Sequence, residues 1–255
     1  MMTDKKTPAR AKVASVSSVI AVMLIVVFGI TLFSQVMLAV PSGPSALEYV
    51  SNSSRNTSLS AKSHTADRST ITTVRLNVSS QTLKWKAYVG NISGKFVLDD
   101  ALNYTIYDWE ITNIDGEVYG TRKSTAVTWE SIRCAQYAHL VTEQSALQHS
   151  QSADDSLNRT FINDSHTGFS VGAVTIGASS CNNTVWLRVN DTIDTATWSE
   201  VALYDSSNLV FATVINASKQ GYRNNNFFDF QMLLPENGSS LTPLSIPYYF
   251  YVELS

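Results

Sequence analysis

Residues 13–40 contain no charged side chain across 28 positions, VASVSSVIAVMLIVVFGITLFSQVMLAV. A helix of that length extends roughly 42 Å at about 1.5 Å per residue. It therefore spans the roughly 30 Å hydrocarbon core of a bilayer, with tilt or a protruding end. Lys5, Lys6, Arg10 and Lys12 precede the segment, and the next basic residue is Arg55. This asymmetry predicts a single transmembrane helix over 13–40, with the basic leader 1–12 in the cytoplasm and the rest of the chain outside the cell. A cleaved secretory signal has a shorter apolar region, about 7–15 residues, ending in a small-x-small site. Met37-Leu38-Ala39 fits that site poorly, so the segment reads as an uncleaved signal anchor. The lipid bilayer is thus the first expected partner.

The outer part carries the marks of a secreted glycoprotein. N-x-S/T sequons stand at Asn52, Asn56, Asn77, Asn91, Asn103, Asn158, Asn163, Asn182, Asn190, Asn216 and Asn237. Ser and Thr make up 58 of 255 residues and Asn 17, so chance places about four sequons where there are 11. An excess of that size after a membrane segment predicts N-glycosylation. Cys134 and Cys181 are the two cysteines; an even count outside the cell predicts one disulfide. Net charge is −3, and the basic leader alone is positive, leaving the outer part acidic. That balance excludes a nucleic-acid footprint, which requires clustered Lys and Arg on the folded part.

Residues 41–70 read as a polar stalk, opened by Pro41, Gly43 and Pro44. From 71 to 255 short strand-like runs follow one another at 72–78, 82–89, 95–98, 104–109, 117–121, 169–176, 184–189, 200–204, 210–215, 228–234 and 248–254. Turn signals such as Asp115-Gly116 and Asn237-Gly238 lie between them. One helical interruption is expected within 131–148. Many short strands without a βαβ rhythm predict a mainly β fold, an extracellular antiparallel β-sandwich with one short helical insertion.

The segments WKAYVGNISG at 85–94, VLDDALNYTIYDW at 97–109, HTGFSVG at 166–172 and the ending from FFDFQMLLPENG to YYFYVEL resemble a group of archaeal surface proteins. So do Gly116–Tyr119, Trp129 and Cys134. The likeness covers roughly residues 44–255 and implies a membrane-anchored extracellular β domain. It carries over no functional residue. The run VSSVIAV at 16–22 is similar to the start of the hydrophobic helix of archaeal type IV pilins, preceded by a basic leader of the right size. The cleavage pattern departs from theirs: Lys12 follows Arg10-Ala11 where an apolar residue is favoured.

No catalytic or metal motif is legible. His139, His149 and His166 lie near Asp154, Asp155 and Asp164, yet spacings of 10 and 17 fit no zinc pattern. Asp99-Asp100 and Asp191/Asp194 lack the D-x-D-x-D-G frame of a calcium loop. Of the five tryptophans, 85, 109, 129, 186 and 198, most are expected in the core rather than on a sugar platform. The expectation is therefore a non-enzymatic structural or adhesive surface protein without cofactor. Other surface proteins or further copies of itself are its candidate partners. The alternatives are a pilin-like or donor-strand filament subunit and, more distantly, a surface hydrolase.

Overall fold

The computed structural model describes residues 40–55, 60–239 and 245–254. The transmembrane segment expected at 13–40, apart from Val40, and the sequon at Asn56 lie outside these residues. Among the described residues no helix is long and apolar enough to cross a membrane.

The fold is mainly β and its strands pair antiparallel. In chain order the strands are β1 (Trp85–Gly90), β2 (Lys95–Asp99), β3 (Thr105–Glu110), β4 (Gly116–Thr121), β5 (Arg133–Cys134), β6 (Phe169–Val171), β7 (Val174–Ile176) and β8 (Thr184–Trp186). They continue with β9 (Arg188–Val189), β10 (Thr192–Ile193), β11 (Ser199–Tyr204), β12 (Leu209–Val214), β13 (Lys219–Gln220), β14 (Phe227–Phe228), β15 (Phe230–Pro235) and β16 (Tyr249–Leu254). Two helices, α1 (Tyr137–Ala146) and α2 (Leu157–Thr160), interrupt them. The first falls inside the expected 131–148 window.

A six-stranded sheet organises the domain in the order β16-β4-β12-β11-β5, with β8 sharing the outer edge of β11. Side chains alternate across a strand, and here both faces are buried. Ala202, Leu209, Phe211 and Val118 point into one core, with Leu140 of α1, Leu157 of α2 and Met232 and Leu234 of β15. Val201, Leu203, Val210, Ala212 and Tyr119 point into a second core, with Phe169, Val171, Ile176, Trp129 and Cys181. Each fully buried Leu or Phe contributes about 1.5–3 kcal/mol. The run LVFATV of β12, apolar at both parities apart from Thr213, suits two-sided burial. Gly116 opens β4 at φ +132, and a Cβ there would lie 1.9 Å from the Glu253 carbonyl oxygen. Only glycine fits that approach.

The chain joins the domain at the sheet's open edge. Ser42 and Val252 of β16 exchange backbone hydrogen bonds of 3.1 and 2.9 Å. Beyond it, every described residue from Ser42 to Gln81 is exposed. The strand expected at 72–78 does not form: among the described residues its backbone has no hydrogen-bonded partner. Two other runs are subdivided. The 169–176 run is a hairpin, β6–β7, turned at Gly172 with φ +55. The 184–189 run breaks at Leu187, whose N–H donates to the Trp198 carbonyl at 2.9 Å.

Candidate interaction surface

The β2–β3 hairpin differs from everything around it. Its strands are strongly β-forming, KFVLD and TIYDWE, yet every residue in both is exposed. Phe96 pairs with Trp109 and Leu98 with Tyr107, which gathers four large apolar side chains on one face. The Tyr107 and Trp109 rings meet edge to face at 4.9 Å between centroids. Val97 and Ile106 occupy the other face, Ile106 at 80% exposure, beside Lys95, Asp108 and Glu110. Lys95 pairs with Asp108 at 2.6 Å, a solvent-screened contact of little stabilising value. Among the described residues nothing else pairs with the outer edge of β2 or β3.

The hairpin is nonetheless well defined at its tip. The Asp100 carboxylate accepts the Leu102 and Tyr104 N–H groups at 2.8 and 2.9 Å. This closes the turn around Asn103, which adopts φ +64. A two-stranded hairpin is marginal alone in water, and a contiguous exposed apolar patch marks an interaction site. The sequence shows these strands but not their exposure. A legible signal exists in the consecutive Phe96-Val97-Leu98 and Ile106-Tyr107, apolar at both parities in a strand pair too small to be covered by its own domain.

The disulfide expected from the cysteine count is present. Cys134 and Cys181 form a disulfide with Cα atoms 5.2 Å apart, tying β5 at the sheet edge to the loop after β7 beneath the second core. Of the sequon asparagines within the described residues, none is buried. Asn52, Asn77, Asn91, Asn103 and Asn182 are open, while Asn158, Asn163, Asn190, Asn216 and Asn237 are half-buried. The Asn216 amide donates to the Thr197 carbonyl at 2.7 Å, and that of Asn158 to the Tyr137 hydroxyl at 3.1 Å. These two side chains already serve the fold.

The histidines do not converge, and each is held separately. His139 accepts the Gln136 N–H on Nδ1 at 3.1 Å, in a capping box that starts α1, and stacks on Tyr204 with centroids 3.7 Å apart. Burial and then Arg133 push its pKa down, consistent with a neutral acceptor. His149 is buried, with Nε2 2.6 Å from the Glu236 carbonyl and its ring beside Trp85; burial also holds it toward neutrality. His166 accepts the Cys181 N–H on Nε2 at 3.1 Å and donates from Nδ1 to the Thr167 carbonyl at 2.7 Å. Asp155 binds Lys84 and Thr82, Asp154 binds Arg159, and Asp164 is exposed.

Among the described residues no group of three or more His, Cys, Asp or Glu could hold a metal ion. Of the carboxylates named as loose calcium ligands, Asp194 accepts the Ala196 N–H at 2.9 Å and Asp100 closes the hairpin turn. Trp129 and Trp198 are buried, and Trp85 and Trp186 are half-buried. Only Trp109 stands out on the hairpin.

Sequence reasoning missed three buried carboxyl groups in the central sheet. Glu117 on β4 and Glu253 on β16 are direct cross-strand partners. Glu253 accepts the Gly172 N–H at 2.9 Å and the Tyr119 hydroxyl at 3.0 Å. Burial, reinforced by Glu253, pushes the Glu117 carboxyl up to about 8. Burial also raises Glu253, although its hydrogen bonds act against the rise. Glu200 is fully buried, which pushes its pKa well above the ordinary carboxylate value, and its Oε2 accepts the Leu233 N–H of β15 at 2.7 Å. Burial thus favours the protonated form of each of these carboxyl groups.

No family model matches this chain, and neither a curated protein nor a solved structure does.

Proposed function

We propose that the protein is a membrane-anchored, N-glycosylated surface protein with a structural or adhesive role. Its 13–40 helix would lie in the cell membrane with the N-terminus cytoplasmic and the β domain outside, as in the archaeal surface proteins it resembles. The observation that carries this reading is the fully exposed apolar β2–β3 hairpin on a disulfide-tied domain rich in accessible sequons. Secreted compartments keep such a disulfide. We read the domain as a sandwich in which the β1–β15 pair packs over one face of the main sheet. The separate structural partners of His139, His149 and His166 favour a scaffold over a hydrolase.

The test is display of the full chain on cells. Protease added outside should remove the part after Val40, and Trp109→Ser with Tyr107→Ser should abolish adhesion while the disulfide and surface level persist. Protection from protease, or undiminished adhesion, contradicts the reading. The filament alternative gains support from one observation, the exposed segment at 72–78, which pairs with no strand among the described residues.

A further inference from the structure

We infer that the partner of the β2–β3 hairpin is a second copy of this chain, which adds its residues 72–78 as a strand along the outer edge of β3. This deepens the adhesive reading by naming what the hairpin holds.

The two pieces lack partners for complementary reasons. The hairpin has β-forming residues, free backbone edges and no cover. The segment TTVRLNV has the strict alternation of a strand, with Val74, Leu76 and Val78 on one side and Thr73, Arg75 and Asn77 on the other. All of it is exposed, Leu76 at 82% and Val78 at 84%, and adjoining Ile71 is fully exposed. Alternating apolar residues in an unpaired extended stretch stabilise nothing in a single chain. They match a sheet edge, where main-chain hydrogen bonds hold a strand and alternate side chains give it register.

Length and charge agree with the β3 edge. Seven residues extend roughly 23 Å at about 3.3 Å each, enough to run alongside the six residues of β3. With Val74, Leu76 and Val78 continuing the Phe96, Leu98, Tyr107 and Trp109 face, Arg75 falls on the face of Asp108 and Glu110. Lys95 already occupies Asp108, which leaves Glu110 for Arg75. Opposite charges on neighbouring strands favour the pairing. Glycans are accommodated as well: Asn77 would project from the face of Asp108 and Glu110, and Asn103 sits at the hairpin tip beyond the paired stretch. Three strands with an apolar face also reach the size at which a sheet holds together.

The experiment is sedimentation velocity on the full chain in mild detergent, across a wide concentration range, with cell adhesion measured in parallel. The wild type should associate with rising concentration. Leu76→Asp (donor lost) and Trp109→Asp (acceptor lost) should each abolish this, and mixing the two should give a 1:1 pair that extends no further. Arg75→Glu and Glu110→Arg should each weaken association by roughly tenfold, and the double variant should recover it. All four positions are exposed, so an unchanged unfolding transition will show that the fold survives. If Trp109→Asp abolishes adhesion while Leu76→Asp leaves both readouts intact, the surface is adhesive but its partner is not this segment, and the inference fails alone. If neither substitution changes association, copies meet elsewhere and the inference fails. If Trp109→Asp also leaves adhesion intact, the adhesive reading fails with it.

Discussion

Two antiparallel pieces of this domain carry apolar side chains at both strand parities, and they meet opposite environments. In the six-stranded sheet, β11 and β12 are buried on both faces between two cores. In the β2–β3 hairpin, residues of the same type are exposed on both faces. The difference lies in what the rest of the chain supplies. Helices α1 and α2 and the β1–β15 pair cover one side of the sheet, and the β6–β7 hairpin with Trp129 covers the other. Nothing among the described residues is left to cover β2–β3. A strand pattern therefore states how a segment will pair, whereas burial depends on surface contributed from elsewhere in sequence. The uncovered pair is the surface on which the proposed partner would dock.

The largest expected effect separates the regions by pH. Glu117, Glu253 and Glu200 all belong to the sheet, and all have folded pKa values above the ordinary carboxylate range. The folded state then binds more protons than the unfolded state above pH 4.5. The stability these groups contribute is fully present below that value and is lost as pH rises through their folded pKa values, about 8 for Glu117. Glu117 alone accounts for roughly 5 kcal/mol over the interval at most. Thermal melts should show Tm falling as pH rises from 5 to about 8, and Glu117→Gln should flatten the slope. A Tm that rises over this range contradicts the buried carboxyl pair. Far below this window the sign reverses. Asp205 and Glu236 are held below their usual range by Lys123 and Lys86 despite burial acting the other way, so strong acid removes their contribution.

Truncation in the sheet comes next. Phe211 lies in the first core against Phe161, with ring centroids 5.5 Å apart. Phe211→Ala should cost about 3–5 kcal/mol through lost burial and the cavity left behind, measured by chemical denaturation. The disulfide closes a 47-residue separation and is worth about 4 kcal/mol in the chain-entropy model. Reduction should lower Tm measurably, and non-reducing peptide mapping should recover a Cys134–Cys181 linked pair. The smallest effect is the most diagnostic: Trp109→Ser in the hairpin should change the stability of the dilute protein by no more than about 0.5 kcal/mol. A loss comparable to that of Phe211→Ala would erase the distinction between the regions.

Much of the fold was legible because its strands are bounded by turn residues, and most predicted runs coincide with a strand to within a few residues. The two-sided cover of the sheet was not read from the sequence, although LVFATV of β12 is apolar at both parities apart from Thr213. Pattern did not distinguish 72–78 from its neighbours, because an alternating run reads the same whether or not a partner strand exists in the molecule. The very short strand Arg133–Cys134 is set by its tertiary neighbour β11 and has no local signal. Glu117, Glu200 and Glu253 looked like solvated strand residues, since a carboxyl group is rarely buried without an ion partner. Their burial follows from the second layer over the sheet, a long-range property. The histidine cluster was proximity in sequence only, resolved into a helix cap, a core contact and a loop brace.

Hydrogen–deuterium exchange on the full chain, followed at low and then high protein concentration, tests the contrast most directly. Amide opening spans from near zero at unsupported segments to the global value in the core. In dilute protein the β2–β3 amides should exchange far faster than those of β11 and β12. At concentrations where copies associate, protection should appear at β3 and at 72–78 together. Slow exchange of β2–β3 already in dilute monomer, matching β11–β12, would contradict the account.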